Sequence, residues 1–185
     1  MKKLPNIITC CVLIISLLAC YILLRDQLLL AFALISMAMA GDGVDGYLAR
    51  RMQVVSNLGT ALDSIGDVFI YILFPAIFWI RHFFLPWPVI LILSVAGIWR
   101  LIRFSLEGHI TDGAKLYYAG VPVYFIQFLI LLSIYFNPSA ILLSLAILIL
   151  SILMIMKFRF PKLGLNVLMS FLALYFISSL IIFSR

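Results

Sequence analysis

The sequence predicts an all-α membrane protein, and three observations lead to this fold class. Hydrophobic residues make up 66% of the 185 residues and charged residues only 11%, whereas a soluble domain carries about 25% charged residues. The mean hydropathy of the chain is +1.25. Apolar stretches close to the roughly 20 residues that a helix needs to cross a bilayer recur along the chain. Because backbone in lipid must satisfy its own hydrogen bonds, each stretch is expected to be a helix.

Seven such stretches occur, at residues 6–24, 27–47, 57–80, 84–105, 119–136, 139–156 and 164–184. We therefore predict a bundle of six core transmembrane helices plus a seventh, the last, at its periphery. Residues 1–185 are expected to form a single domain, since too few polar residues remain for a separate soluble domain.

The distribution of basic residues predicts the orientation of this bundle. If the N-terminus is cytoplasmic, ten of the 13 lysines and arginines fall on the cytoplasmic side, and only Arg25, Arg81 and Arg185 fall on the other. Cytoplasmic loops carry an excess of Lys and Arg, so a cytoplasmic N-terminus is expected. The basic residues stand singly between apolar segments, which disfavours nucleic acid as a partner despite the net charge of +6.

Four of the seven acidic residues lie between positions 42 and 67, inside apolar stretches where charged groups are costly and therefore indicate function. Asp42 and Asp45 are three residues apart and Asp63 and Asp67 four apart, so each pair shares one helix face. In an antiparallel hairpin that turns near residues 54–55, Asp42 lies opposite Asp67 and Asp45 opposite Asp63. All four carboxylates are expected to converge on one spot below the cytoplasmic surface.

Four carboxylates in a small site repel one another unless cations lie between them. Hard oxygen ligands in such a cluster suit Mg²⁺ or Mn²⁺, usually together with substrate phosphates. Two metal ions bridged by carboxylates are a known arrangement for phosphoryl transfer, so two ions are expected. The nearby glycines Gly46 and Gly59 allow close helix packing or clear space for a nucleotide, and these two interpretations are compatible.

The motif around the aspartates is similar to a family signature. It reads Asp42-x-x-Asp45-Gly46-x-x-Ala49-Arg50, eight residues, and then Gly59-x-x-x-Asp63-x-x-x-Asp67. This pattern resembles, at every fixed position, the signature of the CDP-alcohol phosphatidyltransferase family, whose members transfer the phosphatidyl group of a CDP-linked lipid to an alcohol and release CMP. The size and helical layout extend the resemblance across most of the chain. The resemblance implies a metal-dependent enzyme of phospholipid synthesis.

The resemblance also implies roles for individual residues. Asp42, Asp45 and Asp63 would be metal ligands. Asp67 would complete the metal site and act as the general base that deprotonates the acceptor hydroxyl. The residues expected to contact the CDP-lipid are Asn6 and Thr9 in the opening Pro-Asn-x-x-Thr segment, Gly46, Ala49, Arg50 and Gly59 in the motif, and Ser56 in the turn.

The acceptor alcohol is predicted from two further resemblances. Segments 99–105 and 118–122 resemble the Arg-x-x-Arg-Phe-Asn and Gly-Leu-Pro segments of bacterial and archaeal phosphatidylserine synthases. Many relatives that use glycerol phosphate carry an arginine soon after the opening segment, where this chain has Cys10-Cys11-Val12. L-Serine is therefore the expected acceptor, with glycerol 3-phosphate or an inositol phosphate as alternatives. Arg100 and Arg103 are either snorkelling anchors or contacts to the acceptor's carboxylate or a lipid phosphate.

A remote alternative from another class is a metal or ion transporter that binds its cargo at the four carboxylates. It is disfavoured because the aspartates cluster near one surface and no inverted repeat carries a second cluster. The expected partners are CDP-diacylglycerol, a small polar alcohol and the lipid bilayer. The small size favours a prokaryotic cell (inner) membrane with the active site facing the cytoplasm, and the resemblance implies a homodimer.

Overall fold

The computed structural model describes residues 4–51, 57–108, 110–112, 115–161, 173 and 175–177. The helices are α1 (Leu4–Leu24), α2 (Leu28–Arg51), α3 (Asn57–Val68), α4 (Phe74–Phe83), α5 (Trp87–Glu107), α6 (Phe125–Phe136) and α7 (Ala140–Ile155). A π-helical turn, Phe69–Leu73, lies between α3 and α4, and the strands are β1 (Ile110–Asp112), β2 (Lys115–Ala119) and β3 (Arg159–Pro161). The chain forms two compact units, one made of Met1–Phe74 with Leu168–Arg185 and the other of Pro75–Val167.

Four helical segments in the described part of the chain are long and apolar enough to cross a membrane. They are Ile7–Leu24, Leu28–Leu48, Gly59–Phe83 and Trp87–Glu107, and they correspond to the first four predicted stretches. The protein is predominantly helical, as an all-α membrane protein requires. Helices α6 and α7 have 12 and 16 residues, and most of stretch 164–184 lies outside the described residues. The number of spans and the side of the N-terminus therefore stay predictions.

A small antiparallel sheet forms mainly within two segments, 106–118 and 157–163, which lie between the predicted apolar stretches and were expected to be loops. Its strand order is β1-β2-β3, with Tyr118 paired to Phe160 and Ala119 paired to Arg159. The fifth predicted stretch, 119–136, is helical only from Phe125 onward. Hydropathy missed this boundary because an apolar strand and turn have the same composition as an apolar helix.

In the first unit, α1 packs against both helices that carry the aspartates, α2 and α3. At Gly41 the packing is tight, since an added Cβ would lie 2.6 Å from Cγ2 of Val12. A residue without a side chain at position 41 leaves room for the Val12 side chain of α1. Because Asp42 follows Gly41 directly, this contact holds the first aspartate of the motif beside α1.

Aromatic rings form the largest contacts in the core of the first unit. Phe32, Phe74 and Tyr175 are each fully buried. The Phe32 ring meets the Phe74 ring edge-on at 5.3 Å between centroids and stacks on the Tyr175 ring at 5.9 Å. Edge-to-face and offset-stacked pairs at these distances are favourable arrangements, and they pack α2 against the end of the π turn.

In the second unit, a buried tryptophan joins α4 to α6. Trp79 is fully buried, and its Nε1 donates a hydrogen bond to Ser133 Oγ at 3.1 Å. Ser133 Oγ in turn donates to the Ile130 carbonyl at 2.7 Å. The indole N–H and the serine hydroxyl are therefore both satisfied inside an apolar interior, where an unsatisfied donor would be costly.

Arg103 joins three elements of the second unit through contacts that we call the Arg103 clasp. Its Nη1 donates to the Ile155 carbonyl at 2.7 Å, and its Nη2 donates to the carbonyls of Met154 at 2.8 Å and Ala119 at 2.5 Å. Carbonyls in the last turn of a helix have no intrahelical partner, and the negative end of the helix dipole favours a cation there. The clasp therefore ties α5 to the end of α7 and to β2.

The clasp requires a glycine at position 120. Gly120 has φ +78, and an added Cβ would lie 2.5 Å from the Met156 carbonyl oxygen and 3.0 Å from Arg103 Nη2. Its N–H donates to the Phe158 carbonyl at 2.8 Å. Both the backbone conformation and the space thus exclude a side chain.

Gly120→Ala is expected to destabilise the protein by about 2 kcal/mol or more, because it combines a strained φ with a clash against the clasp. The measurement is the thermal unfolding midpoint of the purified protein in detergent. Gly108→Ala is the matched control, since Gly108 also has a positive φ, +66, but nothing lies within 4 Å of its added Cβ. Equal losses in the two variants would show that the clash contributes nothing.

Candidate active site and metal centre

The four motif aspartates lie on two helices of the same compact unit. Asp42 and Asp45 lie on α2, and Asp63 and Asp67 lie on α3. One carboxylate oxygen each from Asp42, Asp45 and Asp63 lies within 4.8 Å of the other two. Asp67 is close enough to this group for its charge to act on Asp42. The structure thus brings together three of the four aspartates that the sequence spacing grouped, and Asp67 lies on the same helix as Asp63.

The aspartate cluster is sheltered from water to different degrees. Asp45 is only 3% exposed, while the side chains of Asp42, Asp63 and Asp67 are partly buried. Charges interact more strongly where protein replaces water. A group of carboxylates held this close in such surroundings needs positive charge, or protons, to be stable.

The donor set fits a divalent cation. Opposite oxygen ligands of an octahedral Mg²⁺ are about 4 Å apart, since each bond is about 2.1 Å long, and the three oxygens lie within 4.8 Å of one another. A cation between carboxylates that lie this close offsets their mutual repulsion. Carboxylate oxygens are also the hard ligands that Mg²⁺ and Mn²⁺ prefer.

The residues predicted to contact the CDP-lipid are described to different extents. Thr9 is buried on α1, at 6% exposure, and Asn6 lies in the first turns of the same helix. Gly46 follows Asp45 on α2, and Gly59 lies in the first turn of α3. The backbones of Ala49 and Arg50 belong to α2. The side chains of Asn6, Ala49 and Arg50 and the whole of Ser56 lie outside the described residues.

The two arginines predicted as acceptor contacts are both buried on α5, at 5% and 6% exposure for Arg100 and Arg103. The Arg100 guanidinium lies over the rings of Phe104, at 5.1 Å from the centroid, and Tyr118, at 5.3 Å. Both arginines line a narrow cleft with Phe104, Glu107, Gly108 and Ala119. The Arg103 clasp already engages two of the three guanidinium nitrogens of Arg103, whereas Arg100 stacks its guanidinium on aromatic faces.

Tyr71 belongs to the aspartate site, although the motif did not predict it. Its hydroxyl donates a hydrogen bond to Asp42 Oδ2 at 3.5 Å, and its side chain is 7% exposed. The sequence carries a signal for the helix face of Tyr71, although not for its partner Asp42. Tyr71 follows Asp67 by four residues, as Asp67 follows Asp63, so the three continue one helix face.

Comparison with known proteins agrees with this geometry. Residues 2–158 match the family model described as CDP-alcohol phosphatidyltransferase. A CDP-diacylglycerol–serine O-phosphatidyltransferase of Bacillus subtilis is 33% identical over 168 residues, which cover 87% of this chain and 91% of that protein. A protein of the same name from Helicobacter pylori is 24% identical over 94% of this chain and 79% of its own length. Another, from Methanocaldococcus jannaschii, is 37% identical over 43% of this chain and 40% of its own.

The family match covers the aspartate motif, both helices that carry it and most of the remaining chain. The similarity to the Bacillus subtilis protein extends over nearly the same part of the sequence. This chain belongs to the CDP-alcohol phosphatidyltransferase family and is a transferase of phospholipid synthesis.

Proposed function

We propose that this protein transfers the phosphatidyl group of CDP-diacylglycerol to L-serine and releases CMP. The observation that carries the proposal is the group of carboxylates from Asp42, Asp45 and Asp63 within 4.8 Å of one another, in a chain of this family. Serine as the acceptor is supported by relatives from three genera that bear the name CDP-diacylglycerol–serine O-phosphatidyltransferase.

In this proposal, Asp42, Asp45, Asp63 and Asp67 hold Mg²⁺ or Mn²⁺, two ions in all. Bound ions of this kind neutralise charge on the pyrophosphate and on the departing phosphate. The protein contributes a fixed set of oxygen ligands on two packed helices. Rigid placement matters because preorganised ligands need no rearrangement during the reaction.

Asp67 is proposed to act also as the general base. Its carboxylate takes the proton of the serine hydroxyl, and the hydroxyl oxygen forms a bond to the phosphorus that carries the diacylglycerol. The bond from this phosphorus to the oxygen of CMP then breaks, and CMP leaves with the electron pair. An alcohol is a weak nucleophile at neutral pH, so a carboxylate within hydrogen-bond reach is needed.

The CDP part of the donor is proposed to contact residues on both sides of the aspartates. These are Asn6, Thr9, Gly46, Ala49, Arg50, Ser56 and Gly59. The burial of Thr9 on the helix that packs against α2 and α3 supports this assignment. At Gly41, one residue before Asp42, the Val12 side chain of α1 packs directly on α2.

Arg100 is proposed as the contact for the carboxylate of the acceptor. Arg103 is the weaker candidate, since three backbone carbonyls already accept hydrogen bonds from its guanidinium. The rings of Phe104 and Tyr118 restrain the Arg100 guanidinium by cation–π contact, and a planar guanidinium matches the geometry of a carboxylate. An arginine restrained in this way loses little conformational entropy when it binds an anion.

The membrane arrangement is proposed from the apolar stretches and from the distribution of basic residues. The bundle has six core helices and a peripheral seventh, the N-terminus and the active site face the cytoplasm, and the protein is a homodimer in a prokaryotic cell membrane. The excess of Lys and Arg on one side supports the orientation.

Purified protein given CDP-diacylglycerol and Mn²⁺ or Mg²⁺ is expected to release CMP only when L-serine is present. Chelation of the metal with EDTA should abolish the release, since the carboxylates would lose their cation. The measurement is CMP formation with a panel of L-serine, glycerol 3-phosphate and an inositol phosphate. Release of CMP with another alcohol but not with serine would exclude serine as the acceptor and leave the family assignment in place.

Asp67→Asn is expected to lower the rate of CMP release about 100-fold or more, because an amide cannot accept the proton from the acceptor hydroxyl. The rate is measured at saturating CDP-diacylglycerol and serine. Asp26→Asn is the matched control, since Asp26 lies in the exposed turn between α1 and α2 and should keep the full rate. Unaltered turnover by Asp67→Asn would exclude Asp67 as the base.

Arg100→Gln is expected to raise the KM for serine about 10-fold or more, since a charge-assisted hydrogen bond contributes roughly 1.5–3 kcal/mol. Arg103→Gln should instead lower the thermal unfolding midpoint, because three carbonyls of the clasp lose their donor. Serine-dependent kinetics and thermal unfolding of both variants are compared. A serine KM that stays at the wild-type value in Arg100→Gln would remove this residue from the acceptor site.

A further inference from the structure

Tyr71 lies in the π-helical turn that follows the last motif aspartate. Its hydroxyl donates to Asp42 Oδ2 at 3.5 Å, and the charges of Asp67 and Asp63 also act on this hydroxyl. The phenol O–H is a hydrogen-bond donor, whereas ionised carboxylates only accept. The Tyr71 hydroxyl is therefore a hydrogen-bond donor that the protein itself supplies to these carboxylates.

The helix geometry explains why this hydroxyl reaches Asp42. Asp63, Asp67 and Tyr71 follow one another at intervals of four residues. In an α-helix four residues are slightly more than one turn, so each side chain in such a series is rotated a little further around the helix axis. In the π turn the backbone N–H of Phe74 bonds to the Phe69 carbonyl, five residues back. A π turn contains more residues than an α turn, so each residue rotates less around the helix axis. Tyr71 therefore stays on the same helix face as Asp63 and Asp67.

The π turn is held in place by packing on several sides. Ile70 is fully buried and Ile72 is 3% exposed, and both α1 and α2 contact the turn. The Cys20 thiol, on α1, points at the Phe69 carbonyl at 4.0 Å. A tyrosine in such surroundings has little rotamer freedom, so the position of its hydroxyl is fixed by the core.

We propose that Tyr71 is a positioning residue of the metal site, which holds the Asp42 carboxylate in the orientation that binds the cation. The inference rests on the proposed function, in which Asp42 is a metal ligand. Groups that hydrogen-bond to metal ligands fix the orientation of those ligands, and their loss typically lowers metal affinity or activity 10–100-fold. Tyr71 acts through Asp42 and does not contact the reacting atoms.

Tyr71→Phe tests this role, because it removes one oxygen and keeps the buried ring. Mn²⁺ binding to the purified protein, without substrate, is measured by titration calorimetry or by the electron paramagnetic resonance signal of free Mn²⁺. The dissociation constant is expected to rise about 10-fold. The thermal midpoint without metal should stay close to that of the wild type. Tyr135→Phe is the control, since Tyr135 is exposed on α6 and should bind Mn²⁺ like the wild type.

A double-mutant cycle with Asp42→Asn separates positioning from packing. If Tyr71 acts through Asp42, then Tyr71→Phe will weaken Mn²⁺ binding in the wild-type background and have little further effect in the Asp42→Asn background. An unchanged Mn²⁺ affinity in Tyr71→Phe would overturn the positioning role. Equal losses of affinity in both backgrounds would also overturn it, since the effect would then not pass through Asp42.

The failure of this inference is distinguishable from the failure of the proposed function. A wild-type protein that binds no Mn²⁺, or an Asp42→Asn variant with full Mn²⁺ affinity, would contradict the proposed metal site itself and the inference with it. Wild-type binding that Asp42→Asn weakens and Tyr71→Phe leaves intact would contradict only the role of Tyr71.

Discussion

The mutual repulsion of the aspartate carboxylates is the constraint on which the functional site depends. Asp45 is 3% exposed, and it lies on the same helix as Asp42, with Asp63 close by on α3. In lipid-embedded helices such charges are costly, so a cluster of this kind persists only where cations compensate it. The cluster is therefore suited to hold a divalent cation.

Around this cluster, the structure relies on small residues and on hydroxyl groups. Gly41 lets α1 approach α2 so closely that a methyl group in its place would meet Val12. The π turn then continues the aspartate face to Tyr71, whose hydroxyl donates to Asp42. π turns inside helices are uncommon and often occur at functional sites. Here the turn has a local consequence, since it keeps a hydrogen-bond donor aligned with the carboxylates.

In the second compact unit, two arginines three residues apart on one helix have different contacts. Arg100 and Arg103 carry the same charge and are almost equally buried, and both belong to the same sequence motif. The backbone carbonyls at the end of α7 and in β2 accept from Arg103, while the rings of Phe104 and Tyr118 stack against Arg100. The Arg103 guanidinium thereby joins three elements of the fold, while the Arg100 guanidinium lies against two aromatic rings.

The sequence by itself determined the membrane class, the first four helices and the grouping of the aspartates. These follow from local quantities, because hydropathy over about 20 residues and spacings of three or four residues need no knowledge of distant partners. Tertiary structure alone decided the three-stranded sheet, the Arg103 clasp and the contact of Tyr71 with Asp42. Each of these joins residues far apart in the chain: Arg103 with Met154 and Ile155, and Asp42 with Tyr71. Such pairings depend on how elements pack, which the composition and period of a single segment do not specify.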